Sequence, residues 1–340
     1  MKWVTFPAIL ILFAGLASCT NGEETPASSP DASLLEKPPY ASISDSIRQD
    51  PKNPTLYQER ASRLMANARY ALAAEDLNTA WDLSPNEKIG EQRVSNLFLL
   101  GELETGRKLL LDLVAKYPDN QNLKRRLGET YTQQGQYGKA IDVYNAVIAA
   151  DTGDFEAYSQ RAALYLQRND TAAAITDLEH AVRLQPTMMT VLTLANIYAE
   201  KKNPRALALT APVIARDTAK EMVDPVFIQG IYYANTGNTA KALETFNQCI
   251  KMDWKFQEVY IEKGIIYFEQ KNLDEAMQQF KLAATVTNTY ADAYYWQGRC
   301  YEALGKKEEA IQNYGRAYAL DDNFEEARER IDALRGSNRP

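Results

Sequence analysis

The chain has 340 residues, with 38 Lys plus Arg, 45 Asp plus Glu and a formal net charge of −7. This acidic balance disfavours nucleic acid as the main partner, because binding phosphates requires an excess of cationic side chains. Three cysteines and a single histidine exclude a Cys-rich zinc site and a two-histidine metal site, so neither a metal nor a cofactor is expected. The 20 tyrosines, against 10 phenylalanines, suggest that tyrosine occupies a repeated position.

The N-terminus has the pattern of a processing signal. Lys2 is followed by an apolar run from Val4 to Ala14, which is too short for a bilayer span of about 20 residues but suits the core of a signal peptide. The next residues, Leu16-Ala17-Ser18-Cys19, resemble a bacterial lipobox. The resemblance implies a lipoprotein with a signal peptide over 1–18 and a lipid, such as palmitate, attached at Cys19. An ordinary secretory signal with an incidental Cys19 is the alternative.

Residues 19–41 are predicted to form a disordered tether, since they combine several Pro and Ser residues with few bulky apolar ones. Thr20 stands directly after the cysteine, where lipoproteins retained in the inner membrane of enteric bacteria have aspartate. By that resemblance we expect a cell-envelope protein that is lipid-anchored in the outer membrane. The acidic pair Glu23-Glu24 resembles a surface-export signal or is merely solubilising, so both a periplasm-facing and a surface-exposed location stay open.

The rest of the chain is built from a repeated pattern with a period of about 34 residues. Six tyrosines recur at this period, at Tyr131, Tyr165, Tyr198, Tyr233, Tyr267 and Tyr301. Small residues follow them by about nine positions, at Ala140, Ala174, Ala208, Ala242, Ala276 and Ala310. Glycine precedes four of the tyrosines by three positions, at Gly128, Gly230, Gly264 and Gly298. This pattern resembles the tetratricopeptide repeat, a unit of two antiparallel helices.

The resemblance implies an all-α fold, a right-handed superhelical solenoid of about eight helix–turn–helix units over residues 54–324. No single unit buries its apolar face alone, so neighbouring units must stack to form a continuous core. We expect an N-terminal capping helix over 42–53, and a C-terminal capping helix and tail over 325–340. Two units depart from the pattern. The second has Leu97 in place of tyrosine and Gly106 in place of alanine, and the fifth has Pro212 inside its second helix.

In tetratricopeptide arrays the first helix of each unit lines the concave face. By this resemblance, the inner face is apolar in units six to eight and has a polar edge at Arg299 and Glu302. An apolar inner face predicts a groove for a partner peptide or helix. The candidate groove residues are Phe227, Ile231, Ile261, Ile265, Phe268, Tyr295 and Arg299. The alternative is that the C-terminal helix, or a second copy in a homodimer, covers these residues.

No motif supports catalysis. No serine lies in a nucleophile-elbow motif, so His180 has no nucleophile to activate as a catalytic base. Cys249 and Cys300 fit the pattern of buried small residues. The close basic pair Arg125-Arg126 lacks the companion residues of the carboxylate clamp that some family members use. We therefore predict a non-catalytic, membrane-anchored scaffold that binds protein partners and no nucleic acid. A self-associating structural lipoprotein of an envelope assembly or secretion machinery is the alternative, and an envelope hydrolase is the least supported.

Overall fold

The protein is described over residues 32–336 by a computed structural model. This part of the chain forms 18 α-helices and one short 3-10 helix, Ala32–Glu36, and contains no strand. The α-helices are α1 Ala41–Gln49, α2 Pro54–Ala66, α3 Tyr70–Leu83, α4 Glu87–Leu99, α5 Leu103–Lys116, α6 Gln121–Gln133, α7 Tyr137–Ala150, α8 Phe155–Gln167, α9 Thr171–Leu184, α10 Met188–Glu200, α11 Arg205–Arg216, α12 Val223–Asn235, α13 Thr239–Met252, α14 Glu258–Glu269, α15 Leu273–Val286, α16 Ala291–Ala303, α17 Lys307–Leu320 and α18 Glu325–Gly336.

The helices follow one another as pairs, from α2 with α3 to α16 with α17. The chain divides into two compact bodies between Asp177 and Leu178, inside α9. In the N-terminal body α2 packs on α3, α4 on α5 and α6 on α7, and each pair contacts the next. In the C-terminal body the pairs α10–α11, α12–α13, α14–α15 and α16–α17 do the same, and α18 packs on α17. The predicted all-α fold of about eight paired units is confirmed for the described residues.

The glycine column allows the two helices of a unit to approach closely. A Cβ atom placed on Gly264 in α14 would lie 2.3 Å from Cε1 of Phe280 in α15. Gly230 meets Phe246 in the same way, at 2.3 Å. Separations below about 3 Å are far inside van der Waals contact, so an aromatic side chain from the second helix occupies the space that glycine leaves free.

The turn between the two helices of each pair contains one residue in the left-handed region, where φ is positive. Four of these residues are glycines, for which this conformation carries no steric cost, and four are not. In chain order they are Ala68, Gly101, Gly135, Asn169, Lys202, Gly237, Lys271 and Gly305. The backbone N–H that follows closes the turn onto the end of the first helix, as when Gln136 donates to the carbonyl of Tyr131 at 2.9 Å.

The N-terminal part of the described chain corrects the predicted tether. Residues 32–36 form the 3-10 helix, and Tyr40 is 2% exposed in the core of the first unit. The hydroxyl of Ser44 in α1 donates to the carbonyl of Leu35 at 2.8 Å. A disordered tether over 19–41 is therefore wrong for residues 32–41, because Leu34, Leu35 and Tyr40 supply apolar contacts that the proline-rich pattern obscured. The remainder, residues 19–31, lies outside the described part.

Candidate interaction face

Four of the predicted groove residues belong to the core. Phe227, Ile231, Ile261 and Tyr295 are each between 2% and 6% exposed. The ring of Phe227 packs 5.0 Å from that of Phe256, which lies in the segment between α13 and α14. An exposed apolar patch at these four positions is therefore a wrong expectation, because all four side chains are buried and the segment before the next helix covers Phe227.

The C-terminal segment covers the last of these positions, which was the alternative that the sequence left open. The ring of Phe324, directly before α18, stacks on Tyr295 with ring centroids 4.9 Å apart. Arg330 in α18 reaches back to the carboxylate of Glu302 at 3.1 Å. Glu302 is thus an ion-pair partner of the C-terminal helix, and it does not form a free polar edge.

The other three groove candidates, Ile265, Phe268 and Arg299, are half-buried. The guanidinium carbon of Arg299 lies 5.4 Å from the ring centroids of both Phe268 and Trp296. Phe268 and Trp296 meet edge to face, with centroids 5.7 Å apart. Cation–aromatic contacts of this kind favour a fixed arginine orientation. We call Phe268, Trp296 and Arg299 the arginine–aromatic cluster.

A row of carboxylates follows the register of the repeat on α12 and on the two helices that carry this cluster, α14 and α16. Asp224, Glu258 and Asp292 lie one repeat period apart in the first turns of α12, α14 and α16. These three helices pack in succession, α12 on α14 and α14 on α16. We call the three residues the acidic column. Burial raises the pKa of each carboxyl group, and the charge of Asp224 adds to this for Glu258, as that of Glu258 does for Asp292.

Two further carboxyl groups, those of Glu262 and Glu200, have raised pKa values on this part of the protein. Burial, with the charges of Glu200, Asp292 and Glu269, raises the pKa of Glu262 to about 8. Burial also raises the pKa of Glu200. The phenol of Tyr290 lies among these groups, and its pKa rises through burial and the charges of Asp292, Glu258 and Glu262. Like charges at short range disfavour ionisation, so neighbouring carboxyl groups raise the pKa of Glu262 beyond the effect of burial.

A comparison within the chain shows what the acidic column lacks. Glu156 occupies the same register position in the fourth unit, and there Arg125 of the preceding unit pairs with it at 2.9 Å. The position equivalent to Arg125 is Phe227 for Glu258, and it is Ile261 for Asp292. Among the described residues the three column carboxylates form no ion pair. At Glu258 and Asp292 the column thus keeps the acid, and a buried apolar residue stands where the fourth unit has its cation. The equivalent position for Asp224 is Thr193, which is also uncharged.

Four other residues were singled out by the sequence: Arg125, Cys249, Cys300 and His180. Arg125 also pairs with the buried Asp154 at 2.9 Å, so this arginine is engaged within the chain and does not form half of a free carboxylate clamp. Cys249 and Cys300 are buried free thiols, as predicted, and burial raises the pKa of each to about 12. His180 lies on α9. Within residues 32–336 no group of three or more His, Cys, Asp or Glu side chains is placed to hold a metal ion.

Sequence reasoning identified Phe268 and Arg299, but it did not identify Trp296 and did not recognise Asp224, Glu258 and Asp292 as an acidic column. The signal was present, because the repeat spacing that identified the tyrosines also separates Asp224, Glu258 and Asp292. Cys19 and the signal peptide over 1–18 lie outside the described residues. None of the described helices has the length and apolar character needed to cross a membrane.

Comparisons with known proteins agree with this architecture. Four tetratricopeptide repeat models match the chain, over residues 97–164, 155–188, 229–287 and 291–329. The chain therefore contains tetratricopeptide repeats. A search of curated proteins gave no match.

Solved structures share the fold. A tetratricopeptide repeat protein from Parabacteroides merdae ATCC 43184 is 19% identical with a TM-score of 0.64, over 73% of this chain and 98% of that chain. PilW, described as a widely conserved type IV pilus biogenesis factor, is 18% identical with a TM-score of 0.50, over 62% and 97%. The APC/C hetero-tetramer Cut9-Hcn1 gives 17% identity and a TM-score of 0.50, over 85% of this chain and 57% of that chain. At these identities the likeness concerns the fold alone.

Proposed function

We propose that this protein is a non-catalytic, lipid-anchored scaffold of the bacterial cell envelope, which binds a basic segment of a protein partner on the acidic column. Tetratricopeptide repeats are built to present such surfaces, since each added unit extends a continuous helix face. The observation that carries the proposal is the run of Asp224, Glu258 and Asp292 without an internal cation, whereas Arg125 supplies one at the equivalent position of the fourth unit.

The spacing of the charges favours a polypeptide partner over a single ion. The three carboxylates belong to three successive helices, and the described residues contain no cluster with metal-binding geometry. A chain bearing several Lys or Arg side chains can meet them in turn, as an extended segment or a helix does in a groove. The arginine–aromatic cluster lies on two of the same helices, α14 and α16, and its half-buried aromatic rings offer apolar surface for the uncharged side of such a segment.

The anchor is the second part of the proposal. The sequence Leu16-Ala17-Ser18-Cys19 supports lipidation at Cys19, and several acyl chains at about 0.8 kcal/mol per buried methylene give durable attachment. The absence of aspartate at position 20 supports the outer membrane as the site of attachment, with the folded repeats facing the periplasm or the cell surface. A basic partner in the same compartment would then bind to the protein at the membrane surface.

The test is photo-crosslinking from the proposed face. A photoreactive amino acid at Ile265 would be used in envelope fractions, with crosslinked partners identified by mass spectrometry. In the triple variant Asp224→Asn, Glu258→Gln, Asp292→Asn, crosslinking should fall by about tenfold, and wild-type crosslinking should weaken as salt rises. The matched control removes the same charge at exposed positions on second helices, Glu244→Gln, Glu308→Gln, Glu309→Gln, and should crosslink like wild type.

Three results would overturn the proposal. They are equal crosslinking by the triple variant and the control, a partner without a basic segment at the crosslinked site, and crosslinks only to a second copy. The last result, with a dimer in sedimentation velocity, would support the self-associating structural lipoprotein.

A further inference from the structure

The second unit contains an open-sided cavity beside Leu97, which stands at the sequence position where other units carry a tyrosine. The cavity has a volume of about 390 Å³ and lies among α3, α4 and α5. Leu97 and Thr105 are part of its lining. Leu97 is the residue that breaks the tyrosine column, so the cavity coincides with the departure from the repeat that the sequence indicated.

The equivalent positions in other units show what these two residues replace. In the third unit they are Tyr131 and Lys139, and the ammonium group of the lysine lies 5.4 Å from the centroid of the ring. In the sixth they are Tyr233 and Lys241, at 4.3 Å. Both pairs are displaced from Leu97 and Thr105 by whole repeat periods. The second unit thus lacks both the ring and the cation above it.

The lining of the cavity supplies polar groups of its own. Asn96 is 1% exposed, and its Nδ2 donates to the carbonyl of Tyr70 at 2.9 Å, while its Oδ1 accepts no hydrogen bond. A buried acceptor without a partner is unfavourable, and a donor brought into the site would relieve it. Arg93 and Lys108 also line the cavity, together with one carboxylate, Asp112.

We propose that this cavity binds a phenol ring, which takes the place of the absent tyrosine side chain. The volume is within the range of small-ligand sites, about 300 to 1,000 Å³. Lys108 provides a cation that an aromatic face attracts, and the phenol hydroxyl provides the donor that Asn96 lacks. Arg93 is already engaged, because its guanidinium lies 5.1 Å from the ring centroid of Trp81 and its Nε donates to Asn78 at 3.1 Å. The ring belongs to a free phenolic molecule or to a tyrosine of a partner polypeptide. The site is independent of the acidic column.

The experiment measures binding of p-cresol to the full mature chain by calorimetry and by the shift in thermal midpoint. Toluene, which has the same shape without the hydroxyl, and the peptide Ala-Ala-Tyr-Ala-Ala are run in parallel. We expect p-cresol to bind and to raise the midpoint, and toluene to bind at least about tenfold more weakly. Binding of the peptide as well identifies polypeptide tyrosine as a source, and binding of p-cresol alone identifies a free phenol.

Two variants locate the site. Leu97→Tyr with Thr105→Lys rebuilds the pair of the third unit, and should raise the thermal midpoint and abolish p-cresol binding. Thr105→Trp changes an exposed residue at the cavity, so it tests blocking without disturbing the core. No binding of p-cresol to wild type, equal binding of toluene, or unchanged binding by both variants would show that the cavity is only a packing defect.

Discussion

Arg60 in α2 and Asp76 in α3 form a bidentate ion pair inside the first unit, with N–O distances of 2.8 and 2.7 Å. Their side chains are 11% and 6% exposed. The pair recurs in the fourth unit as Arg161 and Asp177, again with both guanidinium–carboxylate contacts at 2.7 Å. Two units therefore connect their helices by the same paired charges at the same sixteen-residue offset.

Breaking one of these pairs should destabilise the protein strongly. Asp76→Asn leaves the guanidinium of Arg60 without its counter-charge in a buried setting, and we expect a loss of about 3 to 5 kcal/mol in unfolding free energy. Urea denaturation followed by circular dichroism measures it. The exposed pair Arg328–Glu325 is the control, because Glu325→Gln should cost below about 1 kcal/mol. Similar losses for the two variants would contradict the prediction.

The glycine column gives a second prediction. Gly264→Ala places a methyl group against the ring of Phe280, and overpacking of this kind should cost about 1 to 3 kcal/mol. Gly315 lies inside α17, where an added Cβ meets nothing within 4 Å. Gly315→Ala should therefore stabilise the protein by about 0.5 to 1 kcal/mol through helix propensity. Chemical denaturation of both variants tests the opposite signs, and a shared sign would refute the packing explanation.

The turns between paired helices give a third prediction, which concerns their left-handed residues. Ala68 is exposed and has φ of 56°, whereas Gly305 occupies the equivalent turn with φ of 73°. Because a left-handed residue with a Cβ costs about 1 to 2 kcal/mol, Ala68→Gly should raise the unfolding free energy by about 0.5 to 1 kcal/mol after the added entropy of the unfolded chain. Gly305→Ala should lower it by about 1 kcal/mol. Thermal denaturation measures both, and a destabilising Ala68→Gly would count against the turn geometry.

The pKa of Glu262 predicts how stability changes with pH. This pKa rises from 4.5 to about 8 on folding, so the folded chain holds the proton more tightly than the unfolded chain does. The resulting stabilisation is full below pH 4.5 and is lost as pH rises through about 8. Wild type should therefore lose stability relative to Glu262→Gln across this interval. Parallel urea titrations at several pH values measure the difference, and a difference that does not change with pH would exclude the shift.

Lipidation at Cys19 has a direct check. Mass spectrometry of the wild-type protein should show acylation at the new N-terminus, and Cys19→Ala should lack it and pass into the soluble fraction. The control is Thr20→Ser, which leaves the lipobox intact and should remain with the membrane. A membrane fraction unchanged by Cys19→Ala would contradict the proposed anchor.

The repeat made the helix pairs predictable, because the periodic tyrosine, glycine and alanine positions report contacts inside one unit. The same signal could have shown a second set of tyrosines near the start of the first helices. Tyr57, Tyr260 and Tyr294 each donate to a carbonyl six residues earlier, at 3.1, 2.9 and 3.0 Å. These rings tie the connecting segment to the helix that follows, so part of the tyrosine excess is structural.

The exposure of the groove residues could not be predicted in the same way. It depends on segments outside the repeat columns, such as Phe256 against Phe227 and Phe324 against Tyr295. A residue at a predicted concave-face position is exposed to solvent only where the following unit does not cover it. Periodicity gives the position of a side chain on its own helix, and the conformation of the next connection decides what reaches it.

The uniform turns imply that adding or removing one repeat unit would change the acidic column by one carboxylate. Gly237 and Lys271 close successive pairs with the same left-handed geometry, one repeat period apart. Excising residues 238–271 would join Gly237 to Asn272 and would leave Asp224 and Asp292 in adjacent units. Duplicating that segment would instead add one carboxylate. Under the proposed function, the number of units would therefore set the length of basic sequence that a partner needs, and the gain or loss of one repeat would change that length by one step.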